Sequence, residues 1–288
     1  MTKTRPLDGI RVIDFSRVLA GPLVGQILGD LGADVIKIER PGHGDDTRTW
    51  GPPWKNYAAD GEPEDLEATY YMAINRNKRS IVLDLKDADD IAFARRLALT
   101  GDIVLDNFKP GFMAQLGLDR ASLAADKPDI ITATVTAFGG ETEAAHLPGY
   151  DLAVQGMSGI MHLTGEVGGR ALRVGVPIVD MLTGYNTTVG VLAALHERGQ
   201  TGVGRHVEVS LMDAGLARLT RATPAPTATS SSRPPTTSST PACAESSVDL
   251  SSSTIRASSP TRSAARTWRN STRSSNPRSR RTREHIGS

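Results

Sequence analysis

Apolar residues in the first 220 positions fall into short runs that alternate with longer stretches of helical period. Residues 10–15 (IRVIDF) are too few for a helix and rich in β-branched side chains, so they predict a strand. Residues 21–32 place Leu23, Ile27, Leu28 and Leu31 at helical spacing, and Pro22 suits the first turn. Residues 34–39 (DVIKIE) predict a second strand and complete an opening βαβ unit. Further strands are expected at 80–85 (SIVLDL), 102–108 (DIVLDNF), 129–135 and 205–211. Helices are expected at 88–99, with one polar face, and at 179–198, which is rich in Ala, Val and Leu. Strands alternating with helices predict a parallel, doubly wound α/β sheet. Ligands of such sheets sit in loops at the carboxyl ends of the strands. That directs attention to the loops at 16–21, 40–77, 107–111 and 138–150.

Composition changes this picture at one end. The averages, 39% hydrophobic and net charge +1, conceal a break. From Arg221 to Ser288, 68 residues hold 18 Ser, 11 Thr and 11 Arg, with three acidic residues and no Lys, a net +8. Since the whole chain carries +1, the first 220 residues carry −7. Such a tail has too little apolar surface to offset its conformational entropy and is expected to be disordered. The domain boundary is set at 1–218 for the folded part and 219–288 for the tail. Cys243 is the only cysteine, which excludes an intrachain disulfide framework and the Cys ligand sets of structural zinc. The N-terminus MTKTRPLDG has no apolar signal region, and no run of about 18 apolar residues suggests a membrane span. A cytoplasmic protein is expected.

Four loops carry candidate chemistry. Residues 14–22 (DFSRVLAGP) lead from a strand into a helix N-terminus, where free N–H groups favour an anion. A plain strand–helix turn fits the same spacing. Residues 39–48 (ERPGHGDDTR) form a glycine-punctuated loop without a phosphate-binding fingerprint. Residues 75–80 (NRNKRS) set three cations before a strand, either a polyanion site or a solvated turn. Residues 175–184 (GVPIVDMLTG) place Asp180 among apolar neighbours at the start of the long helix. It reads either as a cap or as a nucleophile able to attack a thioester. Burial would raise its pKa and helix N–H groups would lower it.

Taken in order, RVIDFSRVLAGP, GADVIKIERPGHGDDTR, NRNKRSIVLDLK, DNFKPG, PGYDLAVQGMSGIMHLTG and GVPIVDMLTG resemble the family III (CaiB/BaiF) CoA-transferases. Each motif is weak alone; six in family order, from about Arg5 to Ala217, are specific. GDDTRTWGPPW and TYYMAINRNKRSI resemble the branch acting on succinyl-CoA and small dicarboxylates such as glutarate. The resemblance implies a Rossmann-like large domain and an acyl-CoA transferase with no permanently bound cofactor or metal. It makes coenzyme A or acyl-CoA and a small carboxylic acid the substrates, and an interlocked homodimer the assembly. Asp180 matches the family's catalytic aspartate. Ser16, Arg17, Val18, Leu19 and Ala20 are expected along the pantetheine and thioester. Arg40 is expected on the adenine or phosphates, Ile74, Lys78 and Arg79 beside the nucleotide, and Asn107 and Phe108 against it from the next loop.

There are departures from the pattern. Leu19 stands where formyl-CoA transferases have Gln, which argues against formyl or oxalate chemistry. Tyr150 stands where the racemases of this fold have a catalytic His, which argues for transfer over α-methylacyl-CoA racemisation. Gln115 stands where many relatives have Arg. The family pattern stops abruptly after VEVSLMDAGLARLT, so the smaller domain is expected to be missing and the tail to be an out-of-frame product. An inactive CoA-binding remnant is the rival reading. The arginines of the tail would suit nucleic acid, but no nucleic-acid-binding fold motif accompanies them.

Overall fold

The computed structural model describes residues 4–56, 66–217 and 219. The expected disorder of residues 219–288 therefore lies outside the described residues, Leu219 apart. The chain runs β1 (Arg11–Asp14), α1 (Ala20–Asp30), β2 (Asp34–Glu39), a 3-10 turn (Asp46–Thr49), β3 (Trp54–Asn56), β4 (Leu66–Ala68), α2 (Thr69–Asn75), β5 (Lys78–Val82), α3 (Ala88–Ala98), β6 (Ile103–Asp106), α4 (Phe112–Gln115), α5 (Arg120–Ala124), β7 (Ile131–Thr136), α6 (Asp151–Met157), α7 (Ile160–Thr164), α8 (Ile178–Thr201), β8 (His206–Ser210) and α9 (Leu211–Leu216).

Six strands form one sheet in the order β5–β2–β1–β6–β7–β8, every neighbouring pair parallel. The inner strands are buried on both faces, which is why apolar and β-branched residues dominate them, with Lys37 of β2 a buried charge among them. Val12, Val35, Ile103 and Ala133 point to one face, against Val24 and Leu28 of α1 and Val191 and Ala194 of α8. Ile13, Ile36, Ile38 and Val104 point to the other, against Ala94 and Leu97 of α3 and Leu123 of α5. The outer strands differ: β5 (KRSIV) and β8 (HVEVS) carry charge, which suits sheet edges. β3 and β4 pair antiparallel as a separate ribbon.

After β1 the chain builds outward through β2 and β5, then returns to β6 on the other side of β1 and continues to β7 and β8. The carboxyl ends of β1 and β6 thus flank a topological switch point, where a crevice opens. α8 is 24 residues long, with a mean hydropathy of 1.3 over its most apolar window, enough on length and composition to cross a membrane. Its Val179, Thr183, Gly184, Thr187, Thr188, Val191 and Ala194 are buried against the rest of the fold, as expected of a core helix. Thr183, Thr187 and Thr188 return their hydroxyls to carbonyls one turn back, at 2.7–2.8 Å, so each of these three buried hydroxyls has a partner.

Candidate active site

The loop after β1 is held from below by two buried lysines. Asp14 accepts from the Ser16 N–H at 2.9 Å, from the Ser16 hydroxyl, and from Lys78 Nζ at 2.9 Å. Lys78 also donates to the Pro22 carbonyl and to Asn75 Oδ1. Burial pulls its pKa down to about 8 against the opposing pull of Asp14. Lys37, fully buried, donates to the Ser16 carbonyl at 2.7 Å and pairs with Asp45 at 2.8 Å. From the β6 side, Asn107 clamps one residue with both ends of its amide. Oδ1 accepts from Arg17 N–H at 2.8 Å and Nδ2 donates to the Arg17 carbonyl at 2.6 Å. Between these anchors Val18 sits at φ 72°, a left-handed conformation unfavourable for a β-branched residue. Strain of this kind persists only where the surroundings impose it.

Two contiguous cavities open above this loop. The larger, about 450 Å³, has an apolar lining of Phe15, Ile38, Leu83, Leu85, Phe108 and Phe112. The cations Arg17, Lys37, Arg40, Lys86 and Lys109 and the carboxylates Glu39, Asp45 and Asp84 also line it. The Phe108 and Phe112 rings lie 4.8 Å apart, and the Arg17 guanidinium lies 5.5 Å from the Phe108 ring centre. The smaller cavity, about 240 Å³, shares Arg17, Asn107, Phe108 and Lys109 with the first. It adds Val18, Leu19, Ala20, Tyr150, Leu211 and Asp180. Asp46 pairs with Arg40 and stands 3.5 Å from Arg17, partly neutralising both.

Asp180 reaches this cavity because α1 and α8 approach closely. A Cβ built on Gly184 would lie 2.9 Å from the Ala20 carbonyl oxygen and 3.0 Å from Leu23 Cδ2, so only glycine allows that approach. No described residue donates a hydrogen bond to the Asp180 side chain. Burial, reinforced by the neighbouring charge of Asp151, pushes its pKa up to about 7. Tyr70 of α2 is pushed up to about 12 by burial and then by Asp180, Asp151 and Asp45, which locates its phenol on the same acidic side. Its ring lies 5.6 Å from that of Trp50. A carboxylate with raised basicity beside an apolar, cation-rimmed cleft is suited to attack an electrophilic carbonyl.

Of the residues named from the sequence, Arg17, Val18, Leu19, Ala20, Arg40, Asn107, Phe108 and Asp180 line the two cavities. Ser16, Ile74, Lys78 and Arg79 line neither. Ser16 is fully buried and spent on Asp14. Ile74 is buried in α2. Lys78 is committed to Asp14. Arg79 is paired with Asp34, the first residue of β2, at the end of the sheet opposite the cavities. Residues 83–86, which follow β5 directly, line the larger cavity. The strand expected at 80–85 ends three residues earlier, at Val82. Lys109 and Phe112, which line the larger cavity, and Asp151 and Tyr70, which lie near Asp180, were not among the residues named. Lys109 and Phe112 were within reach of the strand-end rule applied to β6.

The family model of CoA-transferase family III matches residues 7–248. The chain belongs to CoA-transferase family III. A succinate–glutarate CoA-transferase of Agrobacterium fabrum is 49% identical over 214 residues, 74% of this chain and 53% of the relative. A succinyl-CoA:glutarate CoA-transferase of Homo sapiens is 38% identical over 220 residues, 76% of this chain and 48% of the relative. A CaiB/BaiF family protein from Brucella suis superposes with a TM-score of 0.71 at 44% identity, over 76% of this chain and 56% of that one. This family III chain thus spans about half the length of the curated relatives it matches.

Proposed function

We propose that this chain moves CoA from a succinyl-CoA-like donor to a small carboxylic acid through covalent intermediates on Asp180. The observation that carries the reading is the Asp180 carboxylate, unbonded by any described residue, in a cavity that shares Arg17, Asn107, Phe108 and Lys109 with a larger one. The relatives named for succinyl-CoA and glutarate support the substrate class. The larger cavity suits the nucleotide of CoA: Leu83, Leu85, Phe108 and Phe112 for the adenine, and Arg40, Lys86 and Lys109 for the phosphates. The loop from Arg17 to Ala20 then runs beside the pantetheine towards Asp180. By family resemblance the proposal extends to an interlocked homodimer acting in the cytoplasm.

In the first step an Asp180 oxygen attacks the thioester carbonyl and the C–S bond breaks, giving a mixed anhydride and CoA thiolate. The thiolate attacks the aspartyl carbonyl and expels the donor acid as its carboxylate. The acceptor carboxylate attacks this aspartyl thioester, releasing thiolate and forming a second anhydride. The thiolate takes the acceptor acyl group and Asp180 leaves as carboxylate. Each step trades one acyl bond for another, so no oxidant or reductant is consumed. Racemisation is disfavoured because Tyr150, at the cavity wall, supplies no imidazole where an α-proton would have to be taken.

Incubation with succinyl-CoA followed by hydroxylamine should place a hydroxamate on Asp180, read by peptide mass spectrometry. Asp180→Ala should give none and lose transfer by several orders of magnitude. Retention of more than about a hundredth of the activity would sink the covalent reading.

A further inference from the structure

Asp180 is the third residue of α8, a position from which an acid ordinarily bonds back to the start of its own helix. Two features deny it that role. Pro177 occupies the N-cap and has no N–H for a returning carboxylate to accept. The free N–H groups of Val179 and Asp180 are both taken by Asp151 Oδ1, at 2.7 and 3.1 Å, from the first turn of α6. Asp151 is itself fixed. Its Oδ2 accepts from Gln155 Nε2 at 2.5 Å, and Gln155 Oε1 accepts from Val174 N–H at 2.9 Å. Gln155 is buried, so α6 and the segment before α8 are tied together through one amide.

We propose that Asp151 is a positioning residue: by accepting the first free N–H groups of α8 it keeps the Asp180 carboxylate out of the helix cap and available to the cavity. It caps the helix from another element, so helix stability and nucleophile availability no longer compete for one carboxylate. It also presents a like charge that opposes ionisation of Asp180. The other charged or titratable groups around Asp180 come from separate segments. They are Tyr70 of α2, Arg17 and Asp46 of the loops after β1 and β2, Lys109 after β6, and Tyr150 before α6. Arg17 and Asp46 are paired with each other, so Asp151 is the neighbour whose charge bears most on Asp180. The proposal rests on reading Asp180 as the acyl acceptor, yet its main readout, the ionisation of Asp180, needs no turnover.

The test uses the 288-residue chain labelled with carboxyl-13C aspartate, with Asp180→Asn to assign the resonance. Asp151→Asn keeps an acceptor oxygen for the two N–H groups and removes the charge; Asp151→Ala removes both. The titration midpoint of Asp180 is expected to fall by about one unit or more in Asp151→Asn. In Asp151→Ala it should fall further, as Asp180 turns to the vacated N–H groups. Transfer should drop less than about tenfold in the Asn variant, with its acid limb displaced to lower pH. It should drop about a hundredfold or more in the Ala variant. If the Ala variant fails to fold, Asp151→Ser, too short to reach both N–H groups, takes its place. An Asp180 midpoint no lower in Asp151→Ala than in Asp151→Asn overturns the proposal whatever the activity. A midpoint that falls further in the Ala variant while the wild-type chain catalyses no transfer upholds the positioning role and removes the transferase reading instead.

Discussion

Asp180 at the entrance to α8 is asked to ionise where burial and Asp151 both resist it, and its pKa of about 7 has two measurable consequences. The first is kinetic. Only the carboxylate attacks, so transfer should rise with pH through an acid limb centred near 7 in kcat/KM. The second is thermodynamic. The folded value lies above the unfolded 3.8, so the folded chain binds the proton more tightly. The stabilisation this gives is full below pH 3.8 and is lost as pH rises through about 7. Asp180→Asn should therefore stabilise the chain at pH 8 by on the order of 2 kcal/mol, about 5 °C in Tm, and do little at pH 4. Equal gains at both pH values would mean that the charge is not the cause. Lys78, the first residue of β5, and Lys86, four residues beyond its end, make a contrasting pair. Lys78→Met strands the buried Asp14 and should cost about 3–5 kcal/mol in chemical denaturation. Lys86→Ala should leave stability within about 0.5 kcal/mol and weaken CoA binding about tenfold by calorimetry, less so at high salt. In the sequence both are cations beside the same apolar run, and only burial separates a core ion pair from a cavity-lining cation.

At the level of elements, the site depends on how closely α1 and α8 approach and on how the loop after β1 is held. Gly184→Ala would drive a methyl group into the Ala20 carbonyl and Leu23. Overpacking of this kind costs about 1–3 kcal/mol. Because the shift moves Asp180 relative to Leu19 and Ala20, transfer should fall about a hundredfold while the circular dichroism spectrum is unchanged. Asn107→Ala would release both backbone groups of Arg17 and the neighbouring strained Val18. CoA affinity should fall more than stability does; the reverse order would make Asn107 a purely structural residue. The central strands were legible as short β-rich runs bounded by turns, and the long helix by its length and its Ala, Val and Leu content. The segment from Arg40 to Asn77 was read as one loop, and it contains the 3-10 turn, the β3–β4 ribbon and α2. These are short pieces fixed by contacts distant in sequence. Arg48, for example, is sandwiched between Glu39, Glu67 and the Tyr71 ring. No local period announces such contacts.

For the whole molecule, a doubly wound sheet followed from strand–helix alternation, and the six ordered motifs pointed to the family. What the pattern could not give was which apolar side chains remain uncovered, because burial depends on packing partners and a helical period fixes only relative faces. Tyr185 and Val189 stand four residues apart on the exposed side of α8, half and two-thirds exposed, on a helix whose opposite side is core. Leu152 and Met157 of α6 and Leu163 of α7 are also about half exposed. Apolar side chains grouped on adjacent surfaces favour association, whereas the edge strand β8 is guarded by His206 and Glu208. The chain should therefore self-associate with rising concentration, and through its helical surface before its sheet edge. Replacing Tyr185 and Val189 together by Glu should lower light scattering at a given concentration, because added carboxylates improve solubility. The same double variant should unfold within about 1 kcal/mol of the parent, since neither side chain is part of the core. If it scatters as strongly as the parent, association runs through another surface. If it is instead much less stable, those two side chains are more deeply packed than their exposure indicates.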